Sequence, residues 1–83
     1  MEDELKKVFN AAKKGRLEEL KGYIERGAPV DCTPYGSQTP CYIAAFYGKV
    51  DCLDYVIKKG ADVNRTDNNG ITAAHAAVIS FFL

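Results

Sequence analysis

The chain repeats itself with a period of 33 residues, and this repetition limits its fold more than any other feature. Shifting the N-terminal part of the sequence forward by one period pairs identical residues: Ala11, Ala12, Gly15, Leu20, Ile24, Gly27, Ala28 and Val30 with Ala44, Ala45, Gly48, Leu53, Ile57, Gly60, Ala61 and Val63. A second shift pairs Thr39 with Thr72 and Ala44 with Ala77. The sequence therefore predicts two copies of one structural unit and the beginning of a third.

The central unit predicts two short helices joined by a turn. Thr39 is a good N-cap residue, and Pro40 suits the first helical position, where its missing N–H costs nothing. Gly48 can adopt the left-handed conformation that ends a helix. The apolar residues that follow recur at the spacing of one helical face: Val50, Leu53, Val56 and Ile57. We expect helices over residues 40–47 and 50–59.

The first unit predicts the same pair of helices over residues 2–14 and 16–26. Acidic residues open the first of them, where they favour the positive end of the helix dipole. Its charged outer face is typical of an N-terminal cap, which must be soluble on the side that meets no neighbour.

The segments between the helix pairs predict projecting, hairpin-like fingers. Residues 27–38 contain two prolines and two glycines, and residues 61–71 are rich in turn formers. Asn69-Gly70 predicts a tight turn with positive φ at both positions. A last helix is expected from Ala73 onward.

The helix start Thr39-Pro40-Cys41-Tyr42-Ile43-Ala44-Ala45 and the later segment Lys59-Gly60-Ala61-Asp62-Val63-Asn64 resemble the ankyrin repeat. Cys41 and Tyr42 depart from the leucine and histidine that this family favours, and Phe81 stands where a glycine ends the helix. The resemblance implies an all-α solenoid of helix-turn-helix repeats with hairpin-like finger loops. It divides a single domain, 1–83, into a capping repeat (1–31), a full repeat (32–64) and a partial third repeat (65–83).

The function that the resemblance implies is protein–protein interaction, as an adaptor or scaffold without catalysis. Partner-binding positions in similar proteins lie at the finger tips and on the concave side of each unit's first helix. In this chain they are Lys13, Lys14, Tyr35, Gln38, Phe46, Tyr47, Arg65, Asn68, Asn69, Ile71 and Ile79. Exposed aromatic residues are favoured binding hot spots, although packing against the neighbouring finger is the alternative for Phe46 and, to a lesser degree, for Tyr47.

Composition excludes several other classes of function. Acidic and basic residues are equal in number, so we expect neither nucleic acid nor an anionic membrane as a partner. No apolar run is long enough to cross a bilayer. The three cysteines match no zinc spacing, and no apolar signal segment precedes them. We therefore expect a cytoplasmic or nuclear protein that is not secreted and needs no metal or cofactor.

The apolar C-terminal helix supports a different function, self-assembly. Its residues Ile79, Phe81, Phe82 and Leu83 have too little apolar surface within the chain to cover them all. Either further repeats of a longer array or a second copy of the chain would cover this surface. Contiguous apolar patches usually mark contacts, so the alternative function is a structural module that forms homo-oligomers through this helix.

A cysteine-dependent enzyme is a more remote alternative. His75 and Cys41 are the candidate pair, but each lies in the helix start of a different unit and no third group orients the histidine. Cys41 and Cys52 occupy positions that are apolar in similar proteins, so burial is expected for both. Cys32 lies in a finger and is expected to be the most exposed thiol.

Overall fold

The computed structural model describes the backbone of residues 2–82 and the side chains of residues 3–76 and of Val78. This part of the chain is all-α, with five helices: α1 (Glu2–Lys14), α2 (Leu17–Glu25), α3 (Pro40–Phe46), α4 (Val50–Lys58) and α5 (Ala73–Phe82). The predicted helices are thus confirmed, with ends that differ by one residue. None of the helices within residues 2–82 has the length and apolarity that crossing a membrane requires.

Helix α3 is the centre of the packing. It lies against α1 and α5, the first helices of the neighbouring units, and against its own partner α4. A second layer forms where α2 packs on α4. The core contains small residues on the first helix of each unit, namely Ala11, Ala12, Ala44, Ala45 and Ala76. It also contains the larger apolar residues Val8 on α1, Leu20 on α2 and Val56 on α4.

The start of α3 is fixed as the sequence predicts. The Thr39 hydroxyl accepts a hydrogen bond from the Tyr42 amide at 3.1 Å, and Pro40 occupies the first turn. The end of the helix uses Gly48 at φ 69°. The Lys49 amide then donates to the Ala44 carbonyl at 2.8 Å, which closes the terminus and turns the chain toward α4.

The two fingers are joined by hydrogen bonds across the repeat. The Asp31 carboxylate accepts from the Asp62 amide at 3.1 and 3.3 Å. The Arg65 guanidinium donates to the Asp31 carbonyl at 3.1 Å. The Ser37 hydroxyl accepts from the Asn68 amide at 2.7 Å. These bonds fix how far the second finger is offset from the first.

The turn prediction for Asn69-Gly70 is wrong at its first position. Gly70 has φ 77°, but no non-glycine residue within the described backbone has a positive φ. The Asp67 carboxylate accepts from the Asn69 amide at 2.8 Å and from the Ile71 amide at 2.9 Å. These bonds stabilise a three-residue loop that needs left-handed backbone only at its last residue.

Candidate functional site

Three aromatic rings form a row along α3, from Tyr42 through Phe46 to the C-cap residue Tyr47. Tyr42 and Phe46 are one helical turn apart, so their rings stack with centroids 6.4 Å apart and planes at 10°. Phe46 meets Tyr47 edge to face, with centroids 5.2 Å apart. Tyr42 is buried, Phe46 is half-buried and Tyr47 is 47% exposed. The row therefore leads from the core to the surface.

Helix α1 places a lysine beside each of two exposed tyrosines, Tyr47 at the end of α3 and Tyr35 in the first finger. The Lys13 ammonium lies 5.5 Å from the Tyr47 ring centroid. The Lys6 ammonium lies 5.9 Å from the ring centroid of Tyr35, which is 48% exposed. Both distances fall within the range of cation–π attraction.

Tyr35 reaches α1 from the first finger. Its ring meets Phe9 edge to face, with centroids 5.0 Å apart, and its hydroxyl accepts from the side-chain Nδ2 of Asn10 at 3.4 Å. The finger, α1 and α3 thus form one surface, which we call the aromatic–lysine surface. It consists of Lys6, Asn10, Lys13, Tyr35, Phe46 and Tyr47.

Four of the residues expected from the sequence meet on this surface, namely Lys13, Tyr35, Phe46 and Tyr47. The sequence reasoning missed Lys6 and Asn10. Their spacing could have indicated them, because residues 6, 10 and 13 lie on the same side of a helix as one another. Lys14 lies beside this surface, in a cleft between α1 and α2 that Asn10 also lines, together with Lys7 and Tyr23. Gln38 is half-buried in the first finger.

The expected residues of the second finger lie apart from the aromatic–lysine surface. Arg65 is engaged with the Asp31 carbonyl. Asn68 and Asn69 are exposed at the tip, while Ile71 is half-buried at the base of the turn. The side chain of Ile79, and those of the expected self-association residues Phe81, Phe82 and Leu83, lie outside the described residues.

Asp67 ties this finger to α3. Hydrogen bonds from the Ile71 and Asn69 amides hold the pKa of Asp67 below its ordinary value. Burial raises the pKa of Tyr42, and a hydrogen bond to Asp67 raises it further. The Asp67 carboxylate therefore lies close to Tyr42, where the second finger meets α3.

A family model for ankyrin repeats (many copies) matches residues 8–57 and 44–80, and so covers most of the chain. The chain belongs to the ankyrin-repeat family. Ankyrin repeats generally mediate protein–protein interaction and are typically non-catalytic.

Several curated proteins are similar to this ankyrin-repeat chain. The rice (Oryza sativa subsp. japonica) protein named E3 ubiquitin-protein ligase XB3 is 36% identical over 80% of the chain. Two Mus musculus proteins are similar to a comparable extent: Inactive serine/threonine-protein kinase TEX14 (33% over 83%) and Ankyrin repeat domain-containing protein 53 (36% over 84%). The chain spans only 15%, 5% and 15% of the lengths of these three relatives, respectively.

The expectation that Cys32 is an exposed thiol is wrong. Cys32 is only 6% exposed, because the first finger folds back and brings its sulfur within 3.8 Å of the Leu5 carbonyl on α1. Burial raises the pKa of Cys32 to about 11. Cys41 and Cys52 are buried, as expected, and all three thiols are free.

The environment of the remaining candidate groups also opposes nucleophilic chemistry. Burial, with a smaller effect of the Asp31 and Asp62 charges, raises the pKa of Cys41 to about 11. His75 Nδ1 accepts from the Thr72 amide at 3.3 Å, within its own helix start. Within the described residues, no group of three or more histidine, cysteine or acidic side chains is arranged to hold a metal ion.

We predict that Cys32 reacts slowly with a thiol reagent in the folded protein. With its pKa at about 11, labelling near neutral pH should be slower than that of a free cysteine by on the order of 100-fold. Labelling followed by mass spectrometry of the modified peptide measures this rate, and the same chain in concentrated urea is the control. A native rate equal to the rate in urea would contradict the burial of Cys32.

Proposed function

We propose that this chain is a non-catalytic interaction module that binds a protein partner through the aromatic–lysine surface and the finger tips. The observation that supports this most strongly is the exposure of Tyr47 and Tyr35, each close to half of its possible area. Tyrosine buries a large area on binding at a small cost in side-chain entropy, which makes it a frequent hot-spot residue.

The exposure of Tyr47 is not required by the fold. The alanines of α3 and the residues beneath them make the contacts with α1 and α5, whereas Tyr47 is the C-cap residue and lies beyond the last turn of the helix. Tyr35 is different, because its ring edge also packs on Phe9. Tyr47 is therefore the residue at which binding and stability are best separated.

We predict that Tyr47→Ala weakens partner binding while leaving the fold intact. As a hot-spot residue, Tyr47 should contribute enough that its removal raises the Kd by roughly 30-fold. The free energy of unfolding in urea should change by less than about 0.5 kcal/mol, as for most surface substitutions. The binding partner is selected from a displayed library of protein fragments, and its Kd is measured by calorimetry.

Val78→Ala is the control, since Val78 is an exposed apolar residue on α5 and lies outside the aromatic–lysine surface. It should leave the Kd unchanged. The same measurements on Phe46→Ala show how much this half-buried ring contributes to the Kd and to the free energy of unfolding. If Tyr47→Ala destabilised the fold as much as it weakened binding, Tyr47 would belong to the core and the proposed surface would be wrong.

We propose self-association as a second candidate function, on the basis of the outer face of α4. Val50 is 69% exposed and Ile57 is 43% exposed. Their counterparts one repeat earlier, Leu17 and Ile24, are half-buried and pack against the core, where α2 meets α4. The same apolar positions are thus covered in the first unit and open in the second. A second copy of this chain, packed face to face, would cover them.

We predict that this association is reversible and is lost in Ile57→Lys. A buried lysine without a partner opposes contact between two apolar faces. Sedimentation velocity from micromolar to millimolar concentration should show a concentration-dependent mass for the wild type and a monomer for the variant. Thr66→Lys adds the same charge in the exposed second finger and should behave as the wild type. A wild-type chain that stays monomeric throughout would refute self-association.

A further inference from the structure

We propose that the aromatic–lysine surface recognises an acidic polypeptide segment that also carries an apolar or aromatic side chain. This inference rests on the proposed function, because it names the class of partner for the same surface. It follows from the charges left on the surface, from their spacing, and from the rings that lie beside them.

Lys6 and Lys13 take part in none of the ion pairs formed by the described residues. The ion pairs of the described residues are Arg16 with Glu19 and Lys58 with Asp54, and neither includes Lys6 or Lys13. Each of these two ammonium groups instead lies near a tyrosine ring. A ring attracts the cation only weakly and leaves most of its hydrogen-bonding capacity for an incoming carboxylate. The surface therefore presents two oriented positive charges.

The acidic residues Asp31 and Asp67 lie in the two fingers and are engaged there. Asp31 accepts from the Asp62 amide, and Asp67 accepts from the Asn69 and Ile71 amides. These carboxylates are hydrogen-bonded within the fingers and are not ion-paired to α1. Among the described side chains no carboxylate forms an ion pair with Lys6 or Lys13, so both lysines can pair with carboxylates of another molecule.

The spacing of the two lysines on α1 matches that of carboxylates on an extended peptide. Lys6 and Lys13 are seven residues apart on α1, which corresponds to about 10 Å along the helix axis. In a polyproline II segment, which has three residues per turn and rises about 3.1 Å per residue, carboxylates at positions i and i+3 lie on one side and are about 9 Å apart. The Asn10 side chain lies between the two lysines and can bond to the backbone of such a chain. The geometry fits a short extended segment lying along α1.

The exposed rings beside the lysines require apolar side chains on the bound segment as well. Tyr35 lies beside Lys6, and Tyr47 lies beside Lys13. A carboxylate that pairs with either lysine brings its neighbouring residues against an exposed ring. Covering these rings supplies the apolar contact that a solvent-exposed ion pair lacks, since such pairs contribute little alone. A simple polyanion would leave the rings uncovered.

The experiment is a selection of random displayed peptides on the whole chain in three forms: the wild type, Lys6→Gln/Lys13→Gln, and Lys21→Gln/Lys59→Gln. Lys21 and Lys59 each lie 5.7 Å from the Tyr55 ring centroid, on α2 and just beyond α4. The two double variants therefore lose the same charge and the same number of lysine–ring contacts. They differ only in the surface that is altered.

We predict that wild-type chain enriches peptides that combine acidic and apolar residues. For the best peptide, the Kd should rise roughly tenfold in Lys6→Gln/Lys13→Gln and stay within about twofold in Lys21→Gln/Lys59→Gln. Replacing its Asp and Glu residues by Asn and Gln should weaken binding similarly, and added salt should raise the Kd of the original peptide only. Fluorescence anisotropy with labelled synthetic peptides measures each value.

The contrary outcomes are distinct. Enrichment of neutral or basic peptides that depend on Tyr47 but not on Lys6 and Lys13 would overturn the acidic specificity and leave the proposed function standing. Equal loss of binding in both double variants would show that only net charge matters, which also overturns it. If no peptide or protein fragment were enriched by the wild type, both the inference and the proposed function would be wrong.

Discussion

The structure depends on the close packing of α3 between α1 and α5. The residues that make this packing are small, with Ala11 and Ala12 on α1 facing Ala44 and Ala45 on α3, all of them buried. Small side chains allow neighbouring helix backbones to approach closely and leave few voids. A single helix pair of this size cannot bury its apolar face alone, so each unit is stabilised by its neighbours.

The use of small residues for helix packing explains why large side chains are left on the surface. Because alanines make the contacts between units, the large rings of Tyr35 and Tyr47 are not needed in the core and remain about half exposed. The fingers are held by their own acids, Asp31 and Asp67, whose hydrogen bonds link one repeat to the next and close the second turn. What remains on the shared face is a set of rings beside lysines. In the proposed function, the scaffold sets the position of this surface and the side chains on it select the partner.

The sequence predicts the helices well because their ends are encoded locally. Thr39 and Pro40 start α3, and Gly48 ends it, without help from distant residues. Contacts that depend on how a finger folds back could not be predicted. Tyr35 reaches Asn10, and Cys32 reaches Leu5, across a loop whose path no periodic pattern specifies. For the same reason Lys6 and Asn10 were missed, since their spacing indicates only that they face outward. At Asn69 the error has a local cause, because the Asp67 side chain stabilises a loop other than the one that Asn-Gly favours.

The most direct test of the packing account is the urea unfolding of Ala44→Leu, followed by circular dichroism, beside the control Ala74→Leu. Ala44 is buried between units, and Ala74 is exposed on α5. Enlarging Ala44 should force α3 away from its neighbours and lower the free energy of unfolding by about 1–3 kcal/mol. Ala74→Leu should change it by less than about 0.5 kcal/mol. Equal stability of the two variants would contradict the claim that close contact between successive units holds this protein together.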